Sequence, residues 1–171
     1  SRGLGDVYKR QIQEDGLTYV SLRSFVSGTY DNMLARYARE GAKARGSKAV
    51  IYDLRGNVGG SDSWPRKWIQ SFLGTQNSIE TSMLYAQKNS ALFAAENSES
   101  LLPEDEGTCF AREVHGTWYE NDIPIIVLVD DHCGSSGEGA VQLLKTLDNV
   151  LIVGSNTAGY QLCGNVSTFT L

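Results

Sequence analysis

Two adjacent serines, Ser135 and Ser136, stand in the segment DDHCGSSGEGAVQLL, residues 130 to 144, between an apolar run and a helical pattern. A serine in a strand-to-helix turn has two chemistries open to it. Its side-chain oxygen can cap the first free N–H groups of the helix. Alternatively its hydroxyl is a nucleophile, which needs a base to take its proton and donors to hold the negative oxygen. Donors are available in a second turn, DLRGNVGGS, residues 53 to 61, where Gly59 and Gly60 offer amides unshielded by side chains. Neither turn ends in the GK[ST] of a phosphate loop. Glu138 stands where the GxSxG elbow needs its second glycine, which argues against an α/β-hydrolase but not against a serine nucleophile. No residue stands out as the base. His132 is too close in sequence to fold back onto Ser135, His115 has no fixed relation to the turn, and Lys145 lies about two helical turns beyond it.

The elements that must position these turns follow from periodicity. LTYVSLRSF, residues 17 to 25, reads as a β-branched and aromatic strand. A helix follows over residues 29 to 45, with Met33, Leu34, Tyr37 and Ala38 inward and Arg36, Arg39, Glu40 and Lys43 on the wetter side; Gly41 weakens it. Strand 49 to 52 feeds the diglycine turn, and Trp64-Pro65 opens a second helix, whose first turn tolerates proline. Residues 74 to 122 are hard to read, with strands expected near 83 to 85 and 109 to 115 and a long polar excursion that suggests a rim or lid. Strand 125 to 129, the serine turn, a helix over 137 to 147 and strand 151 to 153 complete the pattern. Alternating strands and helices predict an α/β domain with largely parallel pairing. In such a sheet the strand C-termini share one edge, so the two turns are candidates for opposite walls of one cleft. The opening SRGLGDVYKRQ has no useful periodicity and is set aside as a tail, residues 1 to 11, from a single domain over 12 to 171.

Composition narrows the class. The 171 residues are 41% hydrophobic and 20% charged, as in globular proteins. Residues 1 to 67 carry a net charge of +5 and the remainder −10. No basic patch interleaved with aromatics accompanies this asymmetry, which argues against a nucleic-acid partner. No run approaches the length of a membrane span. Cys109, Cys133 and Cys163 match no zinc spacing and read as quiet, partly buried thiols, and two histidines are too few for a histidine-rich metal site. The acidic run Glu104–Glu106 reads as a solvated loop. Trp64, Trp68, Trp118 and Tyr119 read as core or rim packing, with a groove lining as the alternative.

Taken together, IYDLRGNVGGS, VLVDDHCGSSGEGA and VGSNTAG, in this order, resemble the core of the C-terminal processing and tricorn-like serine peptidases. The resemblance covers about residues 17 to 165 and implies a ClpP/crotonase-like core of β-β-α units, partial here relative to the full family unit. It implies that Ser135 is the nucleophile, that the backbone N–H of Ser136 and of Gly59 or Gly60 form the oxyanion hole, and that Glu138 orients the head of the helix. Ser136 would then cap the helix with its side chain, while Arg55, Asn57 and Tyr160 support the loops. No metal or other cofactor is implied, the partner is a peptide or protein substrate, and an extracytoplasmic or cell-envelope location is the expectation for a longer protein. One position departs from the pattern. Tyr160 stands where the Ser-Lys branch has its lysine, and a phenol with an ordinary pKa near 10 is a poor base at neutral pH. The expectation is therefore the histidine-using, nisin-resistance-type branch, with its base upstream of the opening strand and little activity in these residues alone. A non-catalytic binding module on the same fold is the main alternative, and a crotonase-like acyl-thioester enzyme is a weaker one.

Overall fold

The computed structural model describes residues 8–12, 15–90, 94 and 102–160. The chain divides into two compact units, one formed by residues 80–117 and the other by the flanking segments.

The larger unit holds a five-stranded sheet in the order β1-β2-β3-β6-β7. These strands are β1 (Tyr8–Ile12), β2 (Leu17–Leu22), β3 (Ala49–Asp53), β6 (Ile125–Val129) and β7 (Val150–Gly154). From β2 to β7 the pairing is parallel throughout, and only β1 runs antiparallel, against β2. The helices are α1 (Asp31–Ala44), α2 (Ser63–Leu73) and α3 (Ser136–Leu144). Strand β1 takes in residues 8 to 11 of the opening run, and its backbone extends the sheet. At the opposite edge, β7 leaves Leu151, Ile152 and Val153 exposed. The smaller unit pairs β4 (Met83–Lys88) antiparallel with β5 (Cys109–Val114). Among the described residues no helix is long and apolar enough to cross a membrane.

An aromatic cluster ties α1 and α2 to the sheet. The Tyr37 and Trp68 rings stack at 6.4 Å, Trp68 stacks on Phe72 at 5.3 Å, and the edge of Tyr52 meets Trp68 at 4.9 Å. The Tyr37 and Tyr52 hydroxyls bond to each other, so both polar tips are satisfied inside the core. Glu40, expected on the wet side of α1, is buried, and one of its oxygens pairs with Lys43 at 2.9 Å.

Gly41 marks the crossing of the two helices. A β-carbon there would stand 2.2 Å from the Trp68 carbonyl oxygen and 2.9 Å from the Phe72 nitrogen. Both are backbone atoms that cannot rotate away, so the glycine permits close approach rather than weakening α1. Gly41→Ala is expected to cost about 1–3 kcal/mol through overpacking. A lower denaturation midpoint at unchanged slope would report it.

Candidate active site

Strands β3 and β6 are parallel neighbours, with Asp53 opposite Leu128. Their chains therefore leave the sheet at the same edge and side by side. Four hydrogen bonds knit the turns that follow. Leu54 N–H donates to Leu128 O at 2.9 Å, Gly56 N–H to Asp130 Oδ1 at 2.8 Å, and Gly134 N–H to Asn57 O at 2.9 Å. The Ser136 hydroxyl donates to Gly60 O at 2.8 Å. That bond spends the side chain on joining the turns, not on the helix cap expected of it.

Ser135 is exposed and precedes α3 with φ 51° and ψ −123°. Such a backbone is rare for a residue with a β-carbon, costs on the order of 1–3 kcal/mol, and concentrates at functional turns. Gly59 lies directly against it, at φ 96° and buried. Its N–H donates to Asn57 Oδ1 at 2.9 Å, so this amide is taken. The Gly60 and Ser136 N–H groups, by contrast, have no acceptor among the described residues. Gly60 sits in a bridge to Phe25 in which Phe25 N–H reaches Gly59 O and Ser61 N–H reaches Phe25 O, leaving its own N–H unused.

Asn57 is wholly buried and works in three directions. Its Nδ2 donates to Leu22 O at 3.0 Å, its Oδ1 accepts from Gly59, and its carbonyl accepts from Gly134. Asp53, at the end of β3, accepts two bonds from the Arg55 guanidinium at 2.9 Å each, one from Tyr19 Oη at 2.5 Å and one from Arg55 N–H at 3.0 Å. Burial alone would raise its pKa, but these donors and the nearby Arg23 outweigh burial and hold the carboxyl below its ordinary range.

Glu138 is also buried, and it collects donors from two segments. They are Ser135 N–H at 3.0 Å, Thr157 Oγ1 at 2.7 Å, Gly159 N–H at 2.7 Å and the Tyr160 backbone. Burial pushes its pKa up, but the four hydrogen bonds outweigh burial and leave it lowered. Both carboxyls are thus more acidic folded than unfolded, so they add stability above the ordinary carboxylate range and lose it as pH falls through their lowered values. The denaturation midpoint is expected to be level from pH 7 to about 5 and to fall below about 4. Asp53→Asn, measured across the same series, should flatten that acid limb.

The other reactive side chains are turned to different partners. His132 Nδ1 pairs with Asp131 Oδ1 at 2.8 Å, and His115 approaches Glu113 at 4.0 Å, within the smaller unit. Cys133 is buried, and burial, with the charges of Glu138 and Asp130, pushes its thiol up to about 12, so it is no nucleophile at neutral pH. Cys109 is exposed, contrary to the expected partial burial, and Cys163 lies outside the described residues. Trp68 is core, Trp64 donates to Ser27 Oγ at 2.9 Å, and Trp118 is exposed. The Tyr160 ring lies against Gly134, its Cδ2 3.0 Å from where a β-carbon on Gly134 would stand. Sequence reasoning missed Asp53, Asp130 and Thr157, which hold the turns by polar contacts that leave no trace in periodicity.

A family model, Peptidase family S41, matches residues 16–170. Among solved structures, one from Parabacteroides merdae described as a "putative peptidase" aligns with a TM-score of 0.52 and 22% identity, over 90% of this chain and 44% of that one. A lipoprotein from Streptococcus agalactiae aligns with a TM-score of 0.53 and 17% identity, over 90% and 50%. A Bacteroides fragilis structure described as a "putative S41 protease" gives 0.52 and 16%, over 89% and 38%. At these identities the structures bear on the fold alone, and this chain spans half or less of their length. No curated protein matches. The family match overturns the assignment to a histidine-using branch and points instead to the C-terminal-processing peptidases of family S41. With its mixed α/β fold, parallel sheet core and flanking helices, the chain belongs to peptidase family S41, the C-terminal-processing serine peptidases.

Proposed function

We propose that the site hydrolyses peptide bonds of a peptide or protein substrate through an acyl-enzyme on Ser135. The Ser135 hydroxyl attacks the carbonyl carbon, and the negative oxygen that develops is held by the N–H groups of Gly60 and Ser136. The carbon–nitrogen bond then breaks, the amine leaves with a proton, and water releases the acid. One observation carries this reading: an exposed serine on a rare backbone adjoins the diglycine turn, and the Gly60 and Ser136 amides, one from each turn, have no acceptor among the described residues. Such donors act without reorganisation and are worth several kcal/mol in acyl transfer. Gly59, offered by the sequence as an alternative donor, is less suited because Asn57 already holds its N–H. Arg55 and Asn57 support the loops and touch no reacting atom. The finer fold reading, a ClpP/crotonase-like core of β-β-α units in one partial peptidase domain, is supported by the paired turns after β3 and β6.

No base faces Ser135 among the described residues. Tyr160 fills the lysine's place, His132 is paired with Asp131, and Lys145 follows the far end of α3, about 13 Å along the helix from Ser136. The described residues therefore carry nucleophile and oxyanion donors without a base, and slow acylation is expected, since oxyanion binding alone retains part of the catalysis. The same tyrosine favours a second reading, a peptide-binding module that has kept the groove.

A fluorophosphonate separates the two. It is expected to label the folded protein at Ser135, and Ser135→Ala should abolish the label. A folded protein that takes up none supports the binding module.

A further inference from the structure

Glu138 is a buried carboxylate that no Lys, Arg or His pairs with among the described residues. A buried charge of this kind is costly unless donors surround it. Here the donors come from both sides of the site. Ser135 N–H belongs to the nucleophile itself, whereas Thr157, Gly159 and Tyr160 belong to the segment that follows β7. One further bond, Ala158 N–H to Cys133 O at 2.8 Å, joins the same two segments through the backbone.

We propose that Glu138 is the positioning residue that assembles this site, its carboxylate clamping the Thr157–Tyr160 segment to the Ser135 turn. The clamp does two things at once. It ties down the N–H of Ser135, whose φ of 51° would otherwise relax, and it seats the Tyr160 ring against Gly134, next to the nucleophile. A neutral amide cannot do the same work, because its NH2 group would meet N–H and O–H donors on one side. The inference rests on the peptidase reading only for its kinetic consequence; the clamp itself is a statement about hydrogen bonds.

The test uses the 171-residue chain and two variants, Glu138→Gln and Thr157→Val. Amide exchange reads the clamp without any chemistry at Ser135. In Glu138→Gln, exchange at Ser135, Gly159 and Tyr160 is expected to quicken about tenfold or more, the range for hydrogen bonds to a charged group. The amides of Val50 and Leu54, bonded to the Pro124 and Leu128 carbonyls and not to Glu138, should keep their rates. Thr157→Val should quicken Gly159 and Tyr160 and leave Ser135 protected. Fluorophosphonate kinetics add a readout that simple loss of stability would not give: in Glu138→Gln the maximal labelling rate falls while the half-saturating probe concentration stays. Unchanged exchange at the three amides overturns the proposal. So does acceleration in both variants that extends to Val50 and Leu54, which would make Glu138 a support of the fold and nothing more. A wild-type protein that exchanges as expected but takes no label leaves the clamp standing and removes the nucleophile.

Discussion

Asn57→Asp is expected to destabilise the protein by about 3–5 kcal/mol at neutral pH, as an unpaired charge does when buried. The position is fully enclosed, and its Nδ2 is the donor to the Leu22 carbonyl. A carboxylate there brings a negative oxygen against a carbonyl oxygen and keeps only the acceptor toward Gly59 N–H. The introduced carboxyl has a raised pKa in the fold, because burial and the carbonyl both oppose its charge. Protonation gives it an O–H that can restore the bond to Leu22. The sign of the pH dependence follows: relative to the parent protein the variant regains stability as pH falls toward the ordinary carboxylate range, the opposite of the acid limb expected from Asp53 and Glu138. Asn57→Ala, by comparison, leaves a carbonyl and an amide without their partner at about 1–3 kcal/mol each, with no recovery at low pH. Denaturant midpoints for the three proteins at pH 7 and pH 5 check both statements. Equal midpoints for Asn57→Asp and its parent at pH 7 would mean that Asn57 does not hold the turns together.

The elements on which this site is built are legible because burial writes itself into the sequence as a period. The strand at 125 to 129 is read to the residue, and the serine helix within a few positions of its ends. Strand β1 escapes because it joins the sheet through its backbone: YKRQI shows no alternation, and the only apolar members of the strand are Tyr8 and Ile12. Gly41 reads as a weak point because propensity sees the helix alone, whereas its role depends on Trp68 of another helix. Within the site, the two glycine turns can be named from sequence but not joined, since their contact depends on β3 and β6 being neighbours. The choice between Gly59 and Gly60 turns on one side-chain acceptor, Asn57 Oδ1, and spacing does not encode where a side chain points. Tyr160 misleads in a different way. A single residue at a lysine position takes on the weight of a branch, while the match over residues 16–170 rests on the whole pattern.

Gly59→Ala is the substitution expected to damage the site most for its size. Two separate effects meet at this position. The first is conformational: φ is 96°, and an alanine held there is strained by about 1–3 kcal/mol. The second is contact. The new β-carbon would stand 2.7 Å from the Ser135 Cβ and 3.0 Å from both the Gly134 carbonyl oxygen and the Ser136 nitrogen. All three atoms belong to the serine turn, so relief has to come from moving Ser135 away from the diglycine turn, away from Gly60 N–H. Gly28→Ala isolates the first effect, because Gly28 has a similar φ of 100° and nothing within 4 Å of its would-be β-carbon. Both variants are expected to lose stability, and Gly59→Ala to lose more. Only Gly59→Ala should also lose fluorophosphonate labelling, by about a hundredfold, the usual consequence of an ångström-scale displacement of a reacting group. If the two variants lose equal stability and label alike, the turns are not in the contact that makes Ser135 and Gly60 parts of one site.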